Sequence, residues 1–444
     1  MFLSLVLISI LTSLPRVSAQ EIERSELPPL PGAAPADLGG PSSRPAPDFP
    51  APPSLVPQTS AGTDASALPY DLWRGVDAEA LQRLLTAVPL PSPSPTLAGL
   101  VARVLAASPS NDPRELEVRA AALRKAGRIE ELTALAGTTE GGGPPLAKTD
   151  VAKASPGLLY RLVHDEGISP ELRLAAAERA ASLNIIDGEV LGRVYREAGA
   201  GMAKTAQSGP ALRARLFAAF ESAPSINLRA ESIEALLASA RDQGIEAPVA
   251  QALAQASAGL MQDPQADFFA ETGVRIAALA GDEETAWAWV DIGGERMRSW
   301  QLLLAASDPQ GPRAEAALQA GVDIALQGGL PPPVLHRLVT VLDALDYDVP
   351  IKLWDEVSKL PQPANGDLPA TGALTSLKQA ADAGDVGRTI LIAAAVLGPN
   401  GARGAHLIAL GDALRALRRV GLDAEARRLA FEALYAQWPA PGKA

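Results

Sequence analysis

The residues that usually run hydrolytic or metal chemistry are few here, and their spacing suits neither task. The chain has 444 residues, three histidines and no cysteine. His164, His336 and His406 lie far apart. None has a second histidine or a carboxylate three or four residues away, as a helical metal site of the His-Glu-x-x-His kind requires. Without cysteine there is no thiolate nucleophile, thiolate metal site, disulfide framework or lipidated cysteine. No Gly-x-Ser-x-Gly elbow presents a serine nucleophile. Carboxylates pair at Glu130/Glu131, Glu283/Glu284 and Asp346/Asp348. A glycosidase needs two of them across a sugar groove, yet on an acidic helical chain such neighbours read first as solvated faces. Residues 142–149 (GGPPLAKT) imitate a phosphate loop, but Ala147 stands where glycine must precede Lys148. Pro144 and Pro145 also lack the N–H groups that cradle phosphate. These readings predict no enzyme, no nucleotide, no metal and no cofactor.

The densest unusual cluster is Trp287, Trp289, Asp291, Glu295, Arg296, Arg298 and Trp300, which holds half of the six tryptophans within fourteen residues. Aromatic rings beside arginines and carboxylates can grip a peptide or stack on a sugar. Trp287, Trp289, Glu295, Arg296, Arg298 and Trp300 are therefore the candidate ligand surface. Trp287 and Trp289 fall about 200° apart on a helix, so both cannot face one apolar stripe. The competing reading puts one tryptophan in the core and another over a turn. Tyr70, Trp73 and Arg74 open the folded part and are expected to cap the open end of the array, where repeats are atypical.

The chain is 47% hydrophobic but 4% aromatic, and its formal net charge is −12. That charge disfavours nucleic acid and anionic membrane surfaces, both of which are held through Lys and Arg. Ala and Leu dominate, and alternating Val/Ile/Thr runs are nearly absent, so the composition predicts an all-α protein. Met1–Ala19 has the short apolar core and small terminal residues of a cleavable export signal, with cleavage expected after Ala19. Export without cysteine fits a bacterial periplasm. Residues 20–68, rich in Pro, Ala and Ser, read as a disordered or polyproline-like tether. A block at 69–136, a Gly/Pro loop at 137–155, a main array at 156–438 and a flexible tail at 439–444 follow.

Helix signals recur along the folded part. Asp77 precedes an apolar stripe, and residues 89–95 (PLPSPSP) break it. Asp112-Pro113 with Glu115 is the clearest helix start. Ser169-Pro170-Glu171, Asn227 and Asp263-Pro264 read as further starts. Gly127, Gly281, Gly384 and Gly421 sit between helical runs, where glycine closes a helix in the left-handed conformation. Leu407, Leu410, Leu414 and Leu417 make one stripe; Ala426, Leu429, Ala430, Ala433 and Leu434 make the next, with Asp423 as its cap. Neither helix of this hairpin can bury its stripe alone. Gly384 to Gly421 spans 37 residues, a helix-pair period, and ~16 helices are expected at roughly 20 residues per helix plus turn.

AGRIEELTALA, LAGDEETAWAW and RVGLDAEARRLAFEAL resemble the turn and second helix of tetratricopeptide-like repeats. The family's Trp-Leu-Gly-Tyr pattern and regular period are not kept, so no individual binding residue transfers. The resemblance implies an α-solenoid, a superhelical array of antiparallel helix pairs whose concave face binds a peptide or protein. Ala-rich helices also raise an ice-binding reading, which fails for lack of a Thr-Ala-Ala lattice. The expected function is a non-enzymatic periplasmic scaffold for a protein or peptide partner in the cell envelope. The alternatives are a binder of peptidoglycan glycan, or an accessory to wall-processing enzymes, and an oligomeric structural layer.

Overall fold

A computed structural model describes residues 68, 72–73, 76–107, 112–136, 149–201, 207–363, 366 and 368–438. The expected export signal and tether, Tyr70, Arg74, most of the loop at 137–155 and the tail at 439–444 lie outside the described residues. The described residues form twenty-one α-helices, short 3-10 turns and no strand. The first group is α1 (Ala78–Ala87), α2 (Pro95–Ala106), α3 (Pro113–Ala126), α4 (Ile129–Ala136), α5 (Pro156–His164) and α6 (Pro170–Ser182). The middle of the chain supplies α7 (Gly188–Gly201), α8 (Gly209–Ser222), α9 (Ile226–Arg241), α10 (Glu246–Ala258), α11 (Ala270–Ala280), α12 (Glu283–Gly293) and α13 (Arg298–Ser307). The remainder is α14 (Ala314–Leu326), α15 (Pro332–Ala344), α16 (Ile351–Lys359), α17 (Thr371–Asp382), α18 (Val386–Leu397), α19 (Gly401–Gly404), α20 (Leu407–Arg419) and α21 (Asp423–Tyr435). There are more helices than the ~16 expected at roughly 20 residues each. The turns are shorter than that spacing assumes: Gly127-Arg128 and Gly281-Asp282 are whole connections.

Local chemistry explains the boundaries. The Asp77 carboxylate accepts from the Ala80 N–H at 2.7 Å and Asp112 accepts from Arg114 at 2.9 Å. The Ser169 hydroxyl accepts from Leu172 at 3.3 Å. Each satisfies a first-turn donor that has no partner within its helix. Gly281 takes φ +86° and Gly421 φ +83°. The chain then turns back so that Asp282 N–H reaches the Ala277 carbonyl at 2.9 Å and Leu422 N–H reaches Leu417 at 3.0 Å. Any side chain at these glycines strains the turn. Four boundaries differ from the sequence reading. Leu422, not Asp423, precedes α21, and Asp423 instead pairs with Arg418 at 3.2 Å. Ser225, two residues before Asn227, caps α9. After Asp263-Pro264 comes a 3-10 turn, so α11 begins later, at Ala270. His406, which the sequence places within a helical run, instead caps α20, its Nδ1 accepting from Ile408 N–H at 3.2 Å.

Successive helices pack as neighbouring pairs, as in an α-solenoid, and the apolar core runs unbroken from Leu72 to Leu434. Small residues let the pairs close tightly. A Cβ on Gly273 of α11 would lie 2.3 Å from the Trp289 ring of α12. Some buried polar groups are held in networks. Arg213 Nε and the Tyr195 hydroxyl both donate to Glu178, at 2.7 and 2.9 Å, tying α6, α7 and α8. Burial pushes the Tyr195 phenol well above its ordinary range, with Glu178 adding to the effect.

The array does not end in a free N-terminal edge. α1 packs on α18, and α2 packs on both α18 and α21. Glu432 of α21 is buried against the start of α2, accepting from Thr96 N–H at 2.9 Å and from the Ser94 and Thr96 hydroxyls at 2.5 and 2.6 Å. A carboxylate at a helix N-terminus is favoured by both the orphan donors and the dipole. Arg103 of α2 meets Glu425 at 2.5 Å. Gly387 of α18 leaves room for the preceding segment, since a Cβ there would lie 2.6 Å from the Leu72 carbonyl and 3.3 Å from the Trp73 ring. Trp73 thus packs on the chain's own C-terminal helices rather than over an open end. Nearest-neighbour contact alone, the simplest solenoid rule, does not describe this closure. Among the described residues no helix is long and apolar enough to cross a membrane.

Candidate functional site

The tryptophan-rich cluster does not form one surface. Trp289 is fully buried, edge-on to Phe269 at 5.5 Å between ring centroids. Trp300 is buried on α13 and faces Tyr435 at 6.1 Å. Trp287 is half-buried on the other side of α12, with the Arg313 guanidinium 5.7 Å from its ring centre. Arg313 also pairs with Asp291 at 2.7 Å. Glu295 and Arg298 form an exposed pair at 3.5 Å, and Arg296 donates to the Asp267 carbonyl at 3.0 Å. The expectation of a shared ligand surface is corrected for Trp289 and Trp300. The helical rotation between Trp287 and Trp289 sends one inward, and the turn at Gly294 (φ +60°) carries Trp300 into a different packing layer.

Trp300 instead joins a site assembled from distant parts of the chain. The α9–α10 corner, α11, α13, α19 and the end of α21 enclose a cleft of about 480 Å³. Trp300, Tyr435 and Trp438 are its aromatic members, and Arg241, Arg275 and Arg403 its cations; Glu246 is the one acid lining it. The rings are held in register. Tyr435 stacks on Phe431 at 5.5 Å, and Trp438 Nε1 donates to the Ser299 hydroxyl at 2.8 Å. The Trp300 indole N–H is buried and has no partner among the described residues. Arg241 is bound to Glu246 at 2.6 Å, and Arg275 to Glu271 at 3.3 Å. Glu246 raises the Arg241 pKa further above its ordinary value. Arg403 is exposed and has no carboxylate partner among the described residues. Burial pushes the Tyr435 phenol up to about 12, with the Glu246 carboxylate next in effect. At neutral pH this phenol is therefore an uncharged hydroxyl.

A second concavity has the opposite character. α1, α17 with the segment before it, and α18 enclose a groove of about 570 Å³ lined mainly by Val76, Ala80, Leu84, Ala373, Ile392 and Val396. Its cations are Arg83, which pairs with Glu79 at 2.7 Å, and Arg388. A smaller cavity of about 180 Å³ holds Glu283, Asp308, Arg427 and Arg428. Burial, then the charge of Asp308, raises the Glu283 pKa. Asp308 is held by Arg427 at 3.2 Å, and Arg428 donates to the Ala278 and Leu279 carbonyls that end α11.

Several of the other sequence candidates have structural partners. Glu130 accepts from the Tyr160 hydroxyl at 3.1 Å, Glu131 pairs with Arg128, and Asp346 pairs with Arg418 at 2.7 Å. His164 Nδ1 contacts the Tyr160 carbonyl at 2.8 Å, whereas His336 is buried in α15 with its Nε2 unpartnered among the described residues. Sequence reasoning missed Arg241, Arg275, Arg403, Tyr435 and Trp438 as a group, because up to about two hundred residues separate members that only tertiary packing joins. Among the described residues no group of three or more His, Asp or Glu is placed to hold a metal. No family model, no curated protein and no solved structure matches this chain.

Proposed function

We propose that the protein is a non-enzymatic helical scaffold of the cell envelope, holding a protein or peptide partner at the arginine–aromatic cleft. One observation carries the reading: the cleft concentrates three arginines and three aromatic rings in a protein whose net charge is −12. Rigid amphipathic rings beside guanidinium groups are the side chains that dominate binding energy at protein interfaces. Their placement on several packed helices keeps them preorganised, which lowers the entropic cost of binding. The apolar leader Met1–Ala19 supports export. The test is site-specific photocrosslinking in cells from position 436, at the cleft, and from position 373, in the apolar groove. Discrete adducts from 436 that disappear in Trp438→Ala support the reading. Adducts from 373 alone would move the docking place, and none from either position would remove it.

A glycan reading retains one supporting observation, the half-exposed Trp438 beside Tyr435, since a sugar can stack on such rings. Co-pelleting with purified sacculi that survives moderate salt and is lost in Trp438→Ala would favour it over a protein partner.

A further inference from the structure

We propose that the cleft takes the carboxylate end of a peptide, with Arg403 binding the carboxylate and the Trp300–Tyr435–Trp438 rings receiving the adjoining apolar side chain. The inference rests on the reading of this cleft as the docking place.

Charge sets the class of ligand. Arg241 and Arg275 already face Glu246 and Glu271, so their charges are compensated within the protein. Arg403 has no such partner among the described residues. Among the described residues the cleft thus has one arginine without a carboxylate partner, which matches a monoanion better than a doubly charged phosphate. A guanidinium also presents two parallel N–H donors that fit the two oxygens of a carboxylate. The local charge opposes the sign of the whole molecule, which is −12. A long polyanion would meet net repulsion from the rest of the molecule, whereas a single carboxylate need enter only the cleft.

Size and polarity set the rest. About 480 Å³ is in the range of small-ligand pockets, so it suits a chain end better than a strand passing through. The tyrosine hydroxyl remains neutral at physiological pH and adds no competing negative charge. Arg403 belongs to the four-residue α19, whose neighbours Ala402 and Ala405 offer their carbonyls to Arg337 at 2.7 and 3.2 Å. The backbone that carries the exposed guanidinium is thereby anchored to α15.

The experiment is isothermal titration of the full chain with N-acetyl-alanyl-phenylalanine as free acid and as carboxamide, and with a chitin oligosaccharide. Wild type, Arg403→Gln and Trp438→Ala are compared, and far-UV circular dichroism confirms that each variant is folded. The expected result is binding of the free acid at least ten-fold tighter than the amide, with that preference lost in Arg403→Gln. Trp438→Ala should weaken both peptides together. Equal binding of acid and amide, both weakened by Trp438→Ala, would overturn the carboxylate assignment while leaving the cleft as a docking place. Binding of the oligosaccharide with neither peptide bound would overturn both.

Discussion

The arginine–aromatic cleft and the apolar groove are similar in volume but are built in different ways. The groove lies between α1, α17 and α18 and offers mainly Ala, Val, Leu and Ile. Its walls combine the buried Ile392 and Val396 of α18 with half-buried side chains at Val76, Ala80, Leu84 and Ala373. The cleft lies where α21 closes against helices from the middle of the chain. Its Trp300 belongs to the core, its Arg241 and Arg275 are ion-paired, and its Trp438 is fixed by Ser299. The difference teaches that concavity alone does not mark a site. Here the distinguishing features are a fixed set of polar and aromatic groups and a charge that opposes the rest of the surface.

Substitutions can break or sharpen this contrast. The largest effect is expected for Trp300→Ala, which removes a buried ring shared by core and cleft. Its cost is about 3–5 kcal/mol in denaturant unfolding. By contrast Leu84→Ala, at a half-buried groove position, should cost about 1 kcal/mol. Equal losses would mean that the two concavities are built alike.

Alkali should separate them next. Tyr435 is raised from 10.0 to about 12 in the folded protein. A raised acid binds its proton more tightly when folded, so its stabilisation is full below pH 10 and disappears as pH rises towards 12. The magnitude is on the order of 2 kcal/mol. Wild type should therefore lose more stability than Tyr435→Phe over that interval, while Leu84→Ala parallels wild type. Identical curves for wild type and Tyr435→Phe would show that the phenol is not in the environment described.

Arg403→Gln should leave stability within about 0.5 kcal/mol, as expected for an exposed side chain. It should nevertheless weaken carboxylate binding by about 1.5–3 kcal/mol, measured by titration. Loss of stability without loss of binding would reverse the role assigned to Arg403. The smallest effect belongs to Glu283→Gln in the third cavity. Burial and Asp308 hold the Glu283 carboxyl above its ordinary 4.5, so its stabilising contribution is present below pH 4.5 and lost as pH rises through its folded pKa. The glutamine variant should equal or exceed wild type at pH 7 by less than about 1 kcal/mol after solvent screening. That gap should close below pH 4.5, as followed by thermal melts at the two pH values.

Much of the fold was legible because its signals are local. Asp77, Asp112 and Ser169 act through hydrogen bonds to residues two or three positions ahead, and Gly281 and Gly421 through their own backbone conformation. The final hairpin's stripes are buried as their spacing predicts, except for the half-buried Leu407 at the start of α20. The closure of α2 on α21 was not legible, because Ser94 and Glu432 are 338 residues apart and each reads locally as an ordinary helix residue. The same limit hid the cleft. Density in sequence directed attention to Trp287, Trp289 and Trp300, yet helical rotation and one glycine turn separate them. Trp300's neighbours in the cleft, Tyr435 and Trp438, come from the other end of the folded chain. The opposed facing of Trp287 and Trp289 was legible, since it follows from rotation per residue alone.

The most direct test of the cleft's distinct role is hydrogen–deuterium exchange of the full chain with and without N-acetyl-alanyl-phenylalanine free acid. Slowed exchange at 241–247, 275–279 and 435–438, with none at 76–87 and 369–396, is the predicted result. Protection confined to the groove segments would contradict it.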